Sequence, residues 1–454
     1  MTNKTYTQRL LNVIPGGAHT YSRGFDQYPA NAPQILKRGK GAYVYDENES
    51  KYLDYGMALR AVNLGYAEDE IDKAAFEQIS FGNNLSRPSL VELEAAELLV
   101  DTIDSVDMVK FTKNGSTAVS AAVKLSRAYT GRELIARCVD HPFFSFDDWF
   151  IGSTNITKGI PLSVIDQTKL FKYNDIQSLK DLIDLYPGQL SCVVIEPAAT
   201  DCPSQDGQLG CCNSYPCSRG FDAKKLNFLK EVEALCKKEG IVFILDEMIT
   251  GYRWHLKGAQ HILGVSPDLC TFGKAMANGY SLACVAGKKE IMSLGSIEQP
   301  GQERVFLLST THGSEMAPLG AFISTTNFIK KNNVINHFWE YGSKLTTLIK
   351  KCAKDFGIEE SFIIGGPTCS PFYLTKDQDG NISFELKTVF MQEMIKYKIL
   401  MPFIAISFRH GQKELDLTEA ALLSAFSIYK KAFEEGCESY IEGPAVKPVF
   451  RQFN

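Results

Sequence analysis

The chain has 454 residues, 44% of them hydrophobic and 22% charged, with a formal net charge of −5 at pH 7. That length exceeds one simple core, so two domains are expected, and the slight acidity gives no electrostatic basis for nucleic acid as a partner. No apolar run is long enough for a membrane span, and MTNKTYTQRLLNVIPGG lacks an apolar core of signal-peptide length, so a cytoplasmic protein is expected. Residues 1–65 are rich in Gly, Tyr and Pro, and the strand-like pieces AYVYD and KYLDY flank the acidic turn Asp46-Glu47-Asn48-Glu49, which reads as a hairpin. Helical periodicity begins in EDEIDKAAFEQI. It returns in LVELEAAELLVDTI, where Leu90, Leu93, Ala96, Leu98 and Leu99 are expected to form one apolar face. Strands and helices then alternate to about residue 290: MVKFT, a helix from about 115, LIARCV, SCVVIEP, a helix at 223–238, IVFILD, LCTFG and ACVAG. This alternation predicts an α/β domain with a mainly parallel sheet, assigned to 66–319. Residues 320–454 carry long helical stretches around the strand candidates SPFYLT and PFIAIS, and predict a smaller α+β domain with segment 1–65 packed on it.

Several motifs carry chemistry. Lys113-Asn114-Gly115-Ser116-Thr117 follows the strand MVKFT and opens a helix that stops at Gly131. Free backbone N–H groups, a glycine and hydroxyls at a helix start make a phosphate cradle; an ordinary N-cap by Asn114 or Ser116 has the same appearance. The segment HPFFSFDDWF, 141–150, is rich in aromatics, and Phe143 or Phe144 is a candidate platform for a flat ring, the other rings being core or interface packing. Glu196 ends the strand SCVVIEP and is either a polar group beside an active site or a plain strand-end carboxylate. The apolar run Ile241–Leu245 ends abruptly on Asp246-Glu247, a buried strand delivering a carboxylate at its C-terminal edge. Lys274 stands 28 positions after Asp246, between the small residues Gly273 and Ala275. A buried acid and a lysine in so crowded a setting point to pyridoxal phosphate: the lysine holds the aldehyde as a Schiff base and the acid keeps the pyridine nitrogen protonated. Thr310-Thr311-His312-Gly313-Ser314-Glu315, between the two expected domains, is a loop able to finish a phosphate site.

Of twelve cysteines, Cys192, Cys236, Cys270 and Cys284 sit in apolar runs and read as small buried hydrophobes. Cys202, Cys211, Cys212 and Cys217 fall in a polar segment without paired C-x2-C spacing. They read as free thiols of a loop, and no metal site is expected.

The order of these motifs resembles the class III aminotransferases of fold type I, and most closely the branch related to glutamate-1-semialdehyde aminomutase. IPGGAHTYSRG, GAYVYDENESKYLDYG, NGSTA, LDEMITGYR, FGKAMANGY and STTHGSE carry the resemblance over nearly the whole chain. It implies a pyridoxal 5'-phosphate enzyme in which Lys274 forms the internal aldimine, Asp246 pairs with the pyridine nitrogen and Met248 packs behind the ring. Gly115 and Ser116 would take the phosphate. Thr311 would reach it from the partner subunit of a homodimer with shared active sites. The pattern departs from that branch where its Tyr-His-Gly becomes Phe143-Phe144-Ser145, and where residues 199–220 look inserted after Glu196-Pro197. These departures favour transfer of an amino group between a small-molecule amino donor and a carbonyl acceptor in a specialised pathway, such as modified sugars. The alternatives on the same scaffold are glutamate-1-semialdehyde 2,1-aminomutase, a racemase or an epimerase. Donor, acceptor and pathway are not legible in the sequence.

Overall fold

The computed structural model describes residues 5–198, 202–203, 227–298 and 300–453. The chain forms two compact units, one made of Met1–Glu68 with His337–Asn454 and the other of Asp69–Asn336. Strands β1 (Leu36–Lys40), β2 (Tyr43–Asp46) and β3 (Lys51–Asp54) come first. In the larger unit follow β4 (Met108–Thr112), β5 (Leu134–Cys138), β6 (Thr168–Phe171), β7 (Leu190–Ile195), β8 (Val242–Asp246), β9 (Leu269–Phe272) and β10 (Ala283–Gly287). Then come β11 (Phe362–Gly365), β12 (Phe372–Thr375) and β13 (Ile399–Leu400).

The seven strands of the larger unit lie in the order β4-β10-β9-β8-β7-β5-β6. β10 is antiparallel to both neighbours and the remaining pairs are parallel, so the sheet is mainly parallel. Its central strands are apolar and buried throughout, as a sheet covered on both faces requires. The helix Gly115–Thr130 is capped at its start by the Asn114 side chain and ends at Gly131, whose φ of +68° is the left-handed stop that glycine adopts without a Cβ penalty. The helix Met316–Asn332, expected in the C-terminal part, belongs to this unit.

In the smaller unit the hairpin β2–β3 forms as its sequence indicates, with β1 and β13 completing the order β1-β2-β3-β13. Between β3 and β13 in sequence lies an unusual turn. Met57, Ala58, Leu59 and Arg60 all have left-handed φ values, 40°, 49°, 60° and 68°, without a glycine among them. Asp54 holds it by accepting from the Gly56 and Met57 amides and from the Tyr66 hydroxyl.

Two expectations fail. In the helix Leu90–Thr102 the buried residues are Val91, Ala95, Leu99 and Thr102, while Leu90 is 71% exposed and Leu93 is exposed too. The packed stripe follows the 3.6-residue period one position off the leucine-richest line. PFIAIS is not a strand: it opens on Pro402, which has no amide to donate, and the Ala405 amide bonds outside it, to the Tyr55 carbonyl. β6 was not anticipated, since only four residues of mixed polarity make it.

Candidate active site

Asp246 is the last residue of β8 and is 2% exposed. Parallel pairing sets Thr271 of β9 beside it, and the Thr271 hydroxyl donates to Asp246 Oδ1 at 2.8 Å. The Met248 amide donates to the same oxygen at 3.0 Å, and Oδ2 accepts from no described residue. Burial raises the Asp246 carboxyl to about 6, against the opposing pull of the nearby Lys274 charge and of the Thr271 and Met248 hydrogen bonds. The site carboxylate therefore has one oxygen tied down and the other available.

Lys274 follows β9 after Gly273. It is half-buried and has φ +41°. That conformation is costly for a residue with a Cβ and persists only where the surroundings enforce it. Next to it in the chain, Gly273 lies against Met248, which packs on Ala118 and Ala283. A Cβ on Gly273 would lie 2.5 Å from the Met248 sulfur, and one on Gly115 would lie 2.8 Å from it. One thioether thus fills the space that two glycines leave, and it brings the 115 helix start, the β8 end and the Lys274 turn together.

The amides of Gly115 and Ser116 precede the first intrahelical bond, while the Asn114 side chain occupies that of Thr117. Ser116 is buried; its Oγ accepts from the Phe146 amide at 3.2 Å and its carbonyl from Ser145 Oγ at 3.3 Å. The aromatic segment is therefore laced to the helix start. Phe143 and Phe144 differ in exposure. Phe143 is 45% exposed, edge-on to Phe150. Phe144 is 2% exposed, packed edge-on to His141 and Phe150.

Glu196, just beyond β7, is buried, and its amide donates to His141 Nδ1 at 3.0 Å. His141 is neutral, since burial pulls it down to about 3. Thr311 is exposed; its carbonyl accepts from Asn84 Nδ2 at 3.0 Å, and it makes no hydrogen bond to the Asp246 group. Cys202 is a free thiol outside helix and strand, and it is buried, whereas Cys211, Cys212 and Cys217 lie outside the described residues. No cluster suited to a metal ion occurs among the described residues.

Thr271, His141 and Glu247 were not singled out by their sequence context. Thr271 had a signal: a hydroxyl on the strand leading to Lys274. The second acid of the Asp-Glu pair has a structural task. Glu247 is wholly buried and accepts from the Ala259 and Gln260 amides, each at 2.8 Å, and from the Thr250 hydroxyl. It caps the helix Ala259–Leu263 from a distance.

Residues 26–201 and 215–360 match the model of the class III aminotransferases. The chain is 28% identical to the 3-aminobutyryl-CoA aminotransferase of Cloacimonas acidaminovorans over 93% of its own length and 96% of that protein. It is 30% identical to the glutamate-1-semialdehyde 2,1-aminomutase of Thermosipho melanesiensis over 90% and 96% of the two chains. Its fold is similar to the PLP internal aldimine form of the FumI protein of Sphingopyxis sp. MTA144, with a TM-score of 0.81, 25% identity and coverage of 95% and 97%.

Proposed function

From the premise that the chain belongs to the class III aminotransferases, and so is a fold type I enzyme using pyridoxal phosphate, we propose that Lys274 and Asp246 carry its amino transfer. The observation that supports them most is the Asp246–Met248–Gly273–Lys274 packing, in which a buried carboxylate keeps one oxygen available beside the strained lysine turn. When bound, the cofactor offers amines a carbonyl carbon and takes up carbanion charge in its ring.

The residues of the chain do the rest. Lys274 would hold the aldehyde carbon. Displaced by the amino donor, its Nζ takes the proton from the amine-bearing carbon of the substrate. Asp246, through Oδ2, keeps a proton on the ring nitrogen. Met248 backs the ring, and the Gly115 and Ser116 amides take the phosphate at a helix start. Phe143, the exposed member of its pair, is the stacking platform; Phe144 supports it from the core. Glu196, buried just beyond β7, borders the cofactor on the β7 side.

The substrate is a small amine or carbonyl metabolite of a specialised pathway. The replacement of Tyr-His-Gly by Phe143-Phe144-Ser145 supports this, because a phenylalanine face stacks but makes no hydrogen bond. A homodimer is part of the proposal, supported by exposed Phe76, Phe81, Leu90 and Leu93 within residues 76–93. So is a cytoplasmic location, which fits described cysteines that are all free thiols. No helix of the described residues is long and apolar enough to cross a membrane.

The test is a half-reaction. Adding an amino donor to the holoenzyme should bleach its visible absorbance and release a stoichiometric keto product. The second reading, intramolecular transfer, is favoured by relatives such as the Thermosipho aminomutase. Efficient conversion of glutamate-1-semialdehyde to 5-aminolevulinate, without a keto product from any donor, would establish it instead.

A further inference from the structure

Residues 310–315 lie outside helix and strand, and Thr310, Thr311 and His312 are exposed, so the loop's own packing does not fix its shape. Polar contacts to other segments do. The Asn84 side chain donates to the Thr311 carbonyl at 3.0 Å. Asn83 has φ +52°, a left-handed conformation that asparagine tolerates. Its carbonyl accepts from the Met316 amide at 2.7 Å and its side-chain oxygen from the Ala317 amide at 3.1 Å. These are the first amides of the helix Met316–Asn332, the ones a capping side chain ordinarily takes. Glu315 stands at the capping position and makes no such bond. With those amides held by Asn83, the Glu315 carboxylate pairs with the Lys113 ammonium instead.

Lys113 stands where three segments meet. It follows β4 directly and precedes Asn114, the cap of the cradle helix. Its carbonyl accepts from Ser281 Oγ at 2.7 Å, in the segment that follows the Lys274 turn. Its ammonium holds the end of the loop. Both side chains of the pair are largely out of water, 29% and 25% exposed, so separating them would leave two poorly solvated charges. The imidazole of His312 is a weaker partner for Glu315, its Nδ1 being 3.8 Å away on an exposed side chain. A partly exposed pair contributes little to overall stability. Its consequence is geometric: the loop that carries Thr311 is pinned beside the helix start that carries Gly115 and Ser116.

We infer that Lys113 and Glu315 are positioning residues, whose ion pair fixes loop 310–315 to the start of the cradle helix and so sets the reach of Thr311 to the cofactor phosphate. The inference rests on the reading that Thr311 completes the phosphate site. A homodimer holds two copies of the pair and two of the loop, so a change in the pair alters every site, whichever chain Thr311 serves. The pair is neutral as a unit, and a phosphate at the helix start therefore meets neither charge alone. Phosphate contacts weigh most for the amine form of the cofactor, because Lys274 holds the aldehyde form covalently.

Calorimetric titration of the full, cofactor-stripped chain with pyridoxamine 5'-phosphate tests it. Lys113→Met together with Glu315→Gln removes the pair without leaving a bare charge. Binding should weaken about five- to tenfold, the worth of a charge-assisted hydrogen bond partly open to water. Thr311→Ala alone should weaken it as well. Made in the Thr311→Ala chain, the same pair of substitutions should cost about twofold at most, because the loop then has no hydroxyl to deliver. Charge exchange, Lys113→Glu with Glu315→Lys, should bring affinity back to within about twofold of the unaltered chain, which a role of Lys113 as a direct phosphate ligand does not allow. Unchanged affinity on removing the pair, an equal loss with and without the Thr311 hydroxyl, or no recovery on charge exchange would each overturn the inference while leaving Thr311 in its role. If Thr311→Ala itself binds pyridoxamine 5'-phosphate as the unaltered chain does, the reading of the loop fails and the inference with it.

Discussion

At the scale of single residues, function and stability pull Asp246 in opposite directions. Its folded carboxyl is raised to about 6, above the ordinary aspartate value, because burial penalises the charge. An acid raised on folding binds its proton more tightly in the native state, so stability falls as pH rises from about 4 to 6 and the loss persists above that window. Asp246→Asn removes the charge while keeping a carbonyl oxygen for Thr271 and Met248. In the cofactor-free protein at pH 8 the variant should therefore melt no lower than the unaltered chain. A clear drop in melting temperature would contradict the burial cost. Its turnover should nonetheless collapse, because a neutral amide does not hold the ring nitrogen protonated. Lys274→Ala should lose on the order of 10⁴-fold or more in kcat with a normal circular dichroism spectrum. Retention of even a tenth of the rate, without added amines, would remove Lys274 from its role.

At the scale of elements, the site depends on glycines that make room for Met248. Gly273→Ala should lower cofactor retention and kcat, since its methyl would fall 2.5 Å from the sulfur. Shortening Met248 to Ala in the same chain should recover part of the loss, and absence of any recovery by absorbance titration would show that the clash lies elsewhere. Glu247→Ala should cost roughly 2–4 kcal/mol, measured by urea unfolding, because it leaves the Ala259 and Gln260 amides buried and unpaired. The sheet strands were legible in the sequence because a two-face-buried strand is a continuous apolar run, and the Asp246 and Lys274 motifs stand out at its edges. Other features had no such mark. The choice between Phe143 and Phe144 depends on which ring is buried against His141, a tertiary fact. The Met57–Arg60 turn has no glycine to announce it, and the buried face beginning at Val91 rather than Leu90 is set by what packs against the helix.

At the scale of the whole molecule, the proposed dimer makes one chain's Lys274 depend on the other's loop. Thr311 is exposed within its own chain, and in the proposed dimer it is assigned to the site of the partner subunit. Thr311→Glu sets a negative charge against the cofactor phosphate and should leave a homodimer with weak cofactor binding and little activity. Lys274→Ala homodimers should be inactive as well. Co-expression of the two variants distinguishes shared from private sites. In a mixed dimer, the subunit that keeps Lys274 would face the intact Thr311 of the partner subunit, and one of the two sites is then complete. Random pairing makes half the molecules mixed, so about a quarter of the normal activity per subunit should return. If Thr311 instead served its own chain, every subunit with an intact lysine would carry the glutamate. Mixing would then restore nothing beyond the residual activity of Thr311→Glu alone.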